Sequence, residues 1–135
     1  MKVRFVAGVL LAVLSIASAS AQTRKTQQQD LDRYEKYAGA AIDQFDFWSL
    51  YKWKLVGPEK VVVWSTVNDA YLLTVDKPCP GLEWTKAIGV TSKQRRIVSS
   101  KFDYVSYGNG SRCQIREIRP IAYKRMLDDG EDAKK

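Results

Sequence analysis

Phe45-Asp46-Phe47-Trp48-Ser49-Leu50-Tyr51-Lys52-Trp53-Lys54-Leu55-Val56-Gly57-Pro58-Glu59-Lys60-Val61-Val62-Val63-Trp64-Ser65-Thr66-Val67-Asn68-Asp69-Ala70-Tyr71-Leu72-Leu73-Thr74-Val75 is the stretch whose reading decides the fold. From Phe45 to Val56 it alternates, with Phe45, Phe47, Tyr51, Trp53 and Leu55 on one side and Asp46, Lys52 and Lys54 on the other, which is the period of a half-buried strand. Gly57-Pro58-Glu59 turns the chain, and the β-branched run from Val61 to Thr66 around Trp64 forms a second strand. Asn68-Asp69 turns it again into a third strand, Ala70 to Val75. Three short strands joined by tight turns predict an antiparallel meander.

Downstream, Asp76-Lys77-Pro78-Cys79-Pro80-Gly81 is a loop, because two prolines remove ladder donors within three residues. Leu82, Trp84, Ala87 and Ile88 suit a short helix closed by Gly89. Lys101–Tyr107 and Arg112–Ile118 flank Gly108-Asn109-Gly110-Ser111, a hairpin turn whose residues tolerate positive φ, and Pro120 closes the last strand. Upstream, Asp30 is placed to cap a short helix in which Leu31, Tyr34 and Tyr37 share a face, with Gly39 ending it. The expected fold is α+β, with about five antiparallel strands, two short helices and one disulfide; the alternative arrangement of the same strands is a small β-barrel.

The amino terminus reads as an export signal. Lys2 and Arg4 precede an uncharged apolar run from Phe5 to Ala17, and Ala19-Ser20-Ala21 supplies small residues for cleavage before Gln22. That run is too short for the roughly 20 residues that cross a bilayer, so no membrane span is expected after cleavage. The expected organisation is a signal peptide over 1–21, a flexible glutamine-rich leader over 22–29, one globular domain over 30–127 and a charged flexible tail over 128–135. The expected location is periplasmic or secreted. In that oxidising compartment the chain's two cysteines, Cys79 and Cys113, pair as a structural bridge. Their spacing is not that of a C-x-x-C redox motif.

The formal net charge is +7, of which Lys2 and Arg4 leave with the signal. Positive charge concentrates late: between Thr91 and Arg125 there are nine basic residues against only Asp103 and Glu117. Arg112 and Arg116 fall on one face of their strand by period 2, with Arg119 beyond them. Such arginines can take phosphate or carboxylate groups in bidentate fashion. The alternative is a solvated basic face whose charges pair with Asp103 and Glu117. Outside the cytoplasm, nucleic acid is not an expected partner.

The chain has no histidine, which excludes Ser-His-Asp and Cys-His catalysis and imidazole metal sites. With both cysteines oxidised and no calcium-loop spacing among the acids, neither metal nor cofactor is expected. Ser49-Leu50-Tyr51-Lys52 matches S-x-x-K, but it falls on a strand and lacks the S-D-N and K-T-G partners. Asp43 with Asp46, or Asp69 with Asp76, could be paired for sugar hydrolysis, but the sequence measures no separation between them and neither pair is assigned that role. Asn109-Gly110-Ser111 fits a glycosylation acceptor, and the turn accounts for the same residues. Trp48, Trp53, Trp64 and Trp84 are expected mainly in the core rather than in a ligand site.

The pairing of Lys77-Pro78-Cys79-Pro80-Gly81-Leu82 with Cys113-Gln114-Ile115-Arg116-Glu117-Ile118-Arg119-Pro120 resembles a family of small exported proteobacterial proteins of unknown activity. Tyr37-Ala38-Gly39, Phe45, Val63-Trp64, Ala70-Tyr71-Leu72-Leu73, Ile88-Gly89-Val90-Thr91-Ser92 and Phe102-Asp103 fit the same pattern, and Ala41 departs from it where proline is expected. The resemblance implies one exported domain in which the cysteines act as a unit; it carries no activity. The leading functional expectation is a non-enzymatic module that binds an anionic envelope component or a protein partner through Arg112, Arg116 and Arg119. A carboxylate-based hydrolase or transferase without histidine or metal is the second reading. A structural envelope or stress protein is the third.

Overall fold

The computed structural model describes residues 17–133. Helix α1 (Ala17–Lys36) is followed by β1 (Gln44–Asp46), β2 (Lys52–Gly57), β3 (Lys60–Trp64) and β4 (Ala70–Val75). After a single 3-10 turn (Leu82–Trp84) come β5 (Ile88–Val90), β6 (Ile97–Ser99), β7 (Tyr104–Tyr107), β8 (Ser111–Ile121) and helix α2 (Tyr123–Ala133). Six strands form one antiparallel sheet in the order β2-β3-β4-β8-β7-β5, and β1 pairs with β6 in a separate two-stranded ribbon. The sheet curls as a half-barrel and stays open, with β2 and β5 at its edges. The α+β architecture and the Cys79–Cys113 disulfide, with Cα atoms 6.0 Å apart, match the sequence expectation.

The long strand β8 is the spine. Its first half pairs with β7 (Tyr104↔Gln114, Ser106↔Arg112) and its second half with β4 (Leu73↔Ile118, Ala70↔Ile121), with a bulge at Arg116 in the β4 ladder between Thr74↔Glu117 and Val75↔Ile115. One sheet face, carrying Val61, Val63, Leu73, Val75, Val105, Ile115 and Ile118, packs against Phe45, Phe47 and Val98 of the ribbon segment. Phe45 stacks on Tyr71 with centroids 4.0 Å apart. The opposite face, carrying Val62, Trp64, Ala70, Leu72 and Ile121, is covered by Tyr34 and Tyr37 from the end of α1 and by Met126 of α2. Strand β3 is therefore buried on both faces, which is why Val61-Val62-Val63-Trp64 runs apolar without alternation.

Several expectations are corrected. Phe45–Val56 is not one strand: β1 and β2 belong to different sheets, and the chain between them crosses layers, leaving Trp48 and Tyr51 exposed. Each piece keeps the period of 2, so alternation alone did not reveal the break. Strand β6 was not foreseen. The segment after Leu82 makes only one 3-10 turn, and Ile88–Val90 pairs with β7 instead of ending a helix. Gly89 serves a close approach rather than a helix end: a Cβ there would lie 2.7 Å from Ser106 Oγ across the ladder. Lys101 to Asp103 is a turn rather than strand. Pro120 lies inside β8, because its carbonyl accepts from Gly39 N–H and its missing donor faces that same side, away from β4.

The ends also differ. The apolar signal run lies outside the described residues except for Ala17, as do residues 134–135 of the tail. Gln22–Gln29, expected as a mobile leader, is helical within α1. Its glutamines, lysine and arginine are good helix formers with no glycine or proline among them, so the segment extends the packed turn at Leu31–Tyr34. Asp30 is thus interior to the helix and pairs with Lys54 at 2.9 Å instead of capping. Asp128–Ala133, expected as tail, continues α2, which Met126 anchors in the core and Asp129 ties to Tyr37.

Candidate functional site

The helical layer covers only part of the sheet. Its apolar contacts fall on β2, β3, β4 and the end of β8, and none of its buried partners comes from β5 or β7. The same face continues, uncovered by that cluster, over Gly89 of β5, Tyr104 and Ser106 of β7, and Arg112 and Gln114 of β8. Here the strands alternate strictly: Val105, Tyr107, Cys113 and Ile115 point into the core, so their neighbours face out.

Two cations converge on one ring of this face. Arg112 Cζ lies 4.5 Å and Lys93 Nζ 5.2 Å from the centre of Tyr104. Beside them is a groove of about 460 Å³ whose lining includes Thr85, Gly89, Ser106, Asn109, Ser111 and Arg112. Arg112 is its only charged lining residue. The groove exists because Gly89 has no side chain and because the loop before β5 is held fast. Leu82 is fully buried, the disulfide joins Cys79 to β8, and Tyr107 Oη donates to Pro80 O at 2.7 Å.

The three arginines expected to act together have separate fates. Arg112 is exposed and pairs with no carboxylate among the described residues. Arg116, at the bulge, forms an ion pair with Asp76. Arg119 donates from Nε to Gly39 O at 2.9 Å and from Nη2 to Ala38 O at 3.3 Å, so its guanidinium clamps the segment after α1 to β8. Of the other late cations, Arg96 stacks on Trp48 at 3.5 Å and Arg125 lies 5.5 Å from the Tyr37 ring, on the helical layer.

Asp103 is not a surface counter-charge. It is 1 % exposed, and its carboxylate accepts from Thr91 Oγ1 and Lys93 N at 2.9 Å each and from Ser99 N at 2.8 Å. It is a structural keystone that holds Lys93 beside Tyr104. No spacing in the sequence distinguishes it from the exposed acids. Lys93 is one of the nine late basic residues in the sequence, whereas Tyr104 and Ser106 were missed, although the Tyr104-Val105-Ser106-Tyr107 alternation carries the signal for the β7 pair.

The catalytic readings gain no geometry. Lys52 of the S-x-x-K match lies 4.4 Å from the Trp64 ring and donates to Tyr123 Oη at 3.1 Å. Asp69 accepts from Thr66 and Asp76 is paired with Arg116. A second groove, about 630 Å³ between α1 and α2, is lined by Asp32 and Asp129. There Tyr37 Oη donates to Asp129 Oδ2 at 2.6 Å, and that bond, together with burial, pushes the Tyr37 hydroxyl above its ordinary range. Among the described residues no three His, Cys, Asp or Glu side chains are grouped to hold a metal, and no helix is long and apolar enough to cross a membrane. The tryptophans divide: Trp64 is core and Trp53 half-buried, whereas Trp48 and Trp84 are 71 % and 84 % exposed.

Among curated proteins and among solved structures, none matches the chain. A family model does match, over residues 1–135, and the chain belongs to that family of unknown function, DUF6491.

Proposed function

We propose that the protein is an exported, non-enzymatic binding module that holds an anionic group of an envelope component on the uncovered outer face of β5, β7 and β8. The observation that carries this reading is Arg112: its guanidinium lies over Tyr104, it pairs with no acid among the described residues, and the residue lines the groove. A cation held in place by a ring loses less freedom when it binds, and Lys93 on the same ring adds a second positive charge. Arg116 is available only by exchanging Asp76, and Arg119 is committed to backbone carbonyls, so neither is central. Export is supported by the basic and apolar amino terminus and by the disulfide.

The test is retention of the protein on lipopolysaccharide micelles and on vesicles with or without anionic lipid, at low and high salt. Retention by an anionic surface that falls as salt rises supports the reading. Equal retention by zwitterionic vesicles, or none on any surface, overturns it.

A further inference from the structure

The groove beside Arg112 has a chemistry of its own. Ser106, Asn109 and Ser111 make no side-chain hydrogen bond among the described residues, and Thr85 Oγ1, which donates to Ala87 O, keeps its acceptor lone pairs. The wall is therefore a row of small hydroxyl and amide groups with unused capacity, and Arg112 is the one charged residue that lines it with them. Phosphate or carboxylate alone would use the arginine and leave most of that row to water.

Immediately before Thr85 stands Trp84, 84 % exposed on a turn whose other apolar residue, Leu82, is fully buried. Leu82 anchors the turn, so packing does not explain the indole. Trp84 is not itself a lining residue, but a water-exposed indole one residue before the lining Thr85, together with the row of hydroxyl groups, has the chemistry that complements a pyranose ring, which offers an apolar C–H face and a rim of hydroxyls. We infer that the groove is a subsite for an acidic saccharide, a pyranose bearing a carboxylate or phosphate. Arg112 takes the anionic group, Ser106, Asn109 and Ser111 take the ring hydroxyls, and Trp84 packs on the sugar face. A groove of about 460 Å³ suits a ligand of monosaccharide or disaccharide size. This inference rests on the proposed role of Arg112 and adds the class of molecule that carries the anion.

The experiment is titration of the oxidised full-length protein with glucuronate, glucose 6-phosphate, glucose, acetate and inorganic phosphate. Amide and indole NMR shifts are followed, in parallel with Arg112→Gln and the exposed Trp84→Ala. The expected result is that the two acidic sugars shift Gly89, Ser106, Asn109, Ser111 and the Trp84 indole. Glucose and the simple anions should bind at least tenfold more weakly, Arg112→Gln should lose at least tenfold and Trp84→Ala several-fold. If acetate or phosphate matches its acidic sugar, the saccharide is overturned while the anion site stands. If no ligand shifts the groove yet Arg112-dependent retention on lipopolysaccharide persists, the inference falls and the binding-module reading survives. Shifts that Arg112→Gln leaves unchanged overturn both.

Discussion

Arg112 of β8 and Tyr104 of β7 sit diagonally across one antiparallel ladder, guanidinium carbon 4.5 Å from ring centre, on the part of the sheet that neither helix covers. The ring orders the cation without neutralising it. Tyr104→Leu should therefore weaken binding of anionic ligands several-fold while changing stability by less than about 1 kcal/mol, the size of an exposed cation–π contact. Parallel ligand titration and urea unfolding check this; unchanged affinity would mean that the ring does not prepare Arg112.

Asp103 should matter for stability far more than any exposed acid. Asp103→Ala leaves the buried Ser99 N–H, the part-buried Lys93 N–H and the Thr91 hydroxyl without their acceptor, so a loss of about 2–4 kcal/mol is expected. Urea denaturation reads it directly. A loss below about 0.5 kcal/mol would contradict the keystone role.

Gly89 and Ser106 form a pair that can be tested by a double-mutant cycle. Gly89→Ala sets a methyl against Ser106 Oγ and should cost about 1 kcal/mol, and adding Ser106→Ala should recover most of it. Additive effects of the two changes would show that the contact is not the cause.

Tyr37 supplies a pH signature. Its hydroxyl is pushed up from the ordinary value of 10.0, first by the hydrogen bond to Asp129 and then by burial, so the folded state holds that proton more tightly than the unfolded chain. The contribution is fully present below about pH 10 and is lost as pH rises through the higher folded value. Tyr34 and Tyr71 are shifted in the same direction, chiefly by burial, and add to the same alkaline decline. Tyr37→Phe should make that decline shallower and speed amide exchange in α2. An unchanged alkaline limb and unchanged exchange would contradict the Tyr37–Asp129 tie.

What could be read from the sequence follows from which signals are local. The meander strands β3 and β4, the loop with two prolines, the turn at Gly108–Ser111 and the cysteine pair each have a local signature, and each stands in the structure. The Phe45–Val56 alternation survived a change of sheet, so two strands looked like one. Ile97–Ser99 is too short to announce itself, and α1 and α2 extend through polar residues because packing at Tyr34 and Met126 secures their inner turns. At the candidate site, Arg112 was legible from charge and strand period. The different fates of Arg116 and Arg119 were not, because a bulge and a non-local pair of carbonyls decide them. Nor was the groove, which depends on a missing Cβ opposite a serine two strands away in sequence.

The most direct test of the central claim compares charge reversal at two exposed arginines that each lie near a tyrosine ring, Arg112→Glu on the uncovered sheet face and Arg125→Glu on the helical layer. Both change the net charge equally, so a non-specific electrostatic effect would weaken retention on lipopolysaccharide micelles equally. The account predicts that Arg112→Glu abolishes low-salt retention while Arg125→Glu retains most of it. Equal losses, or a larger loss for Arg125→Glu, would contradict it.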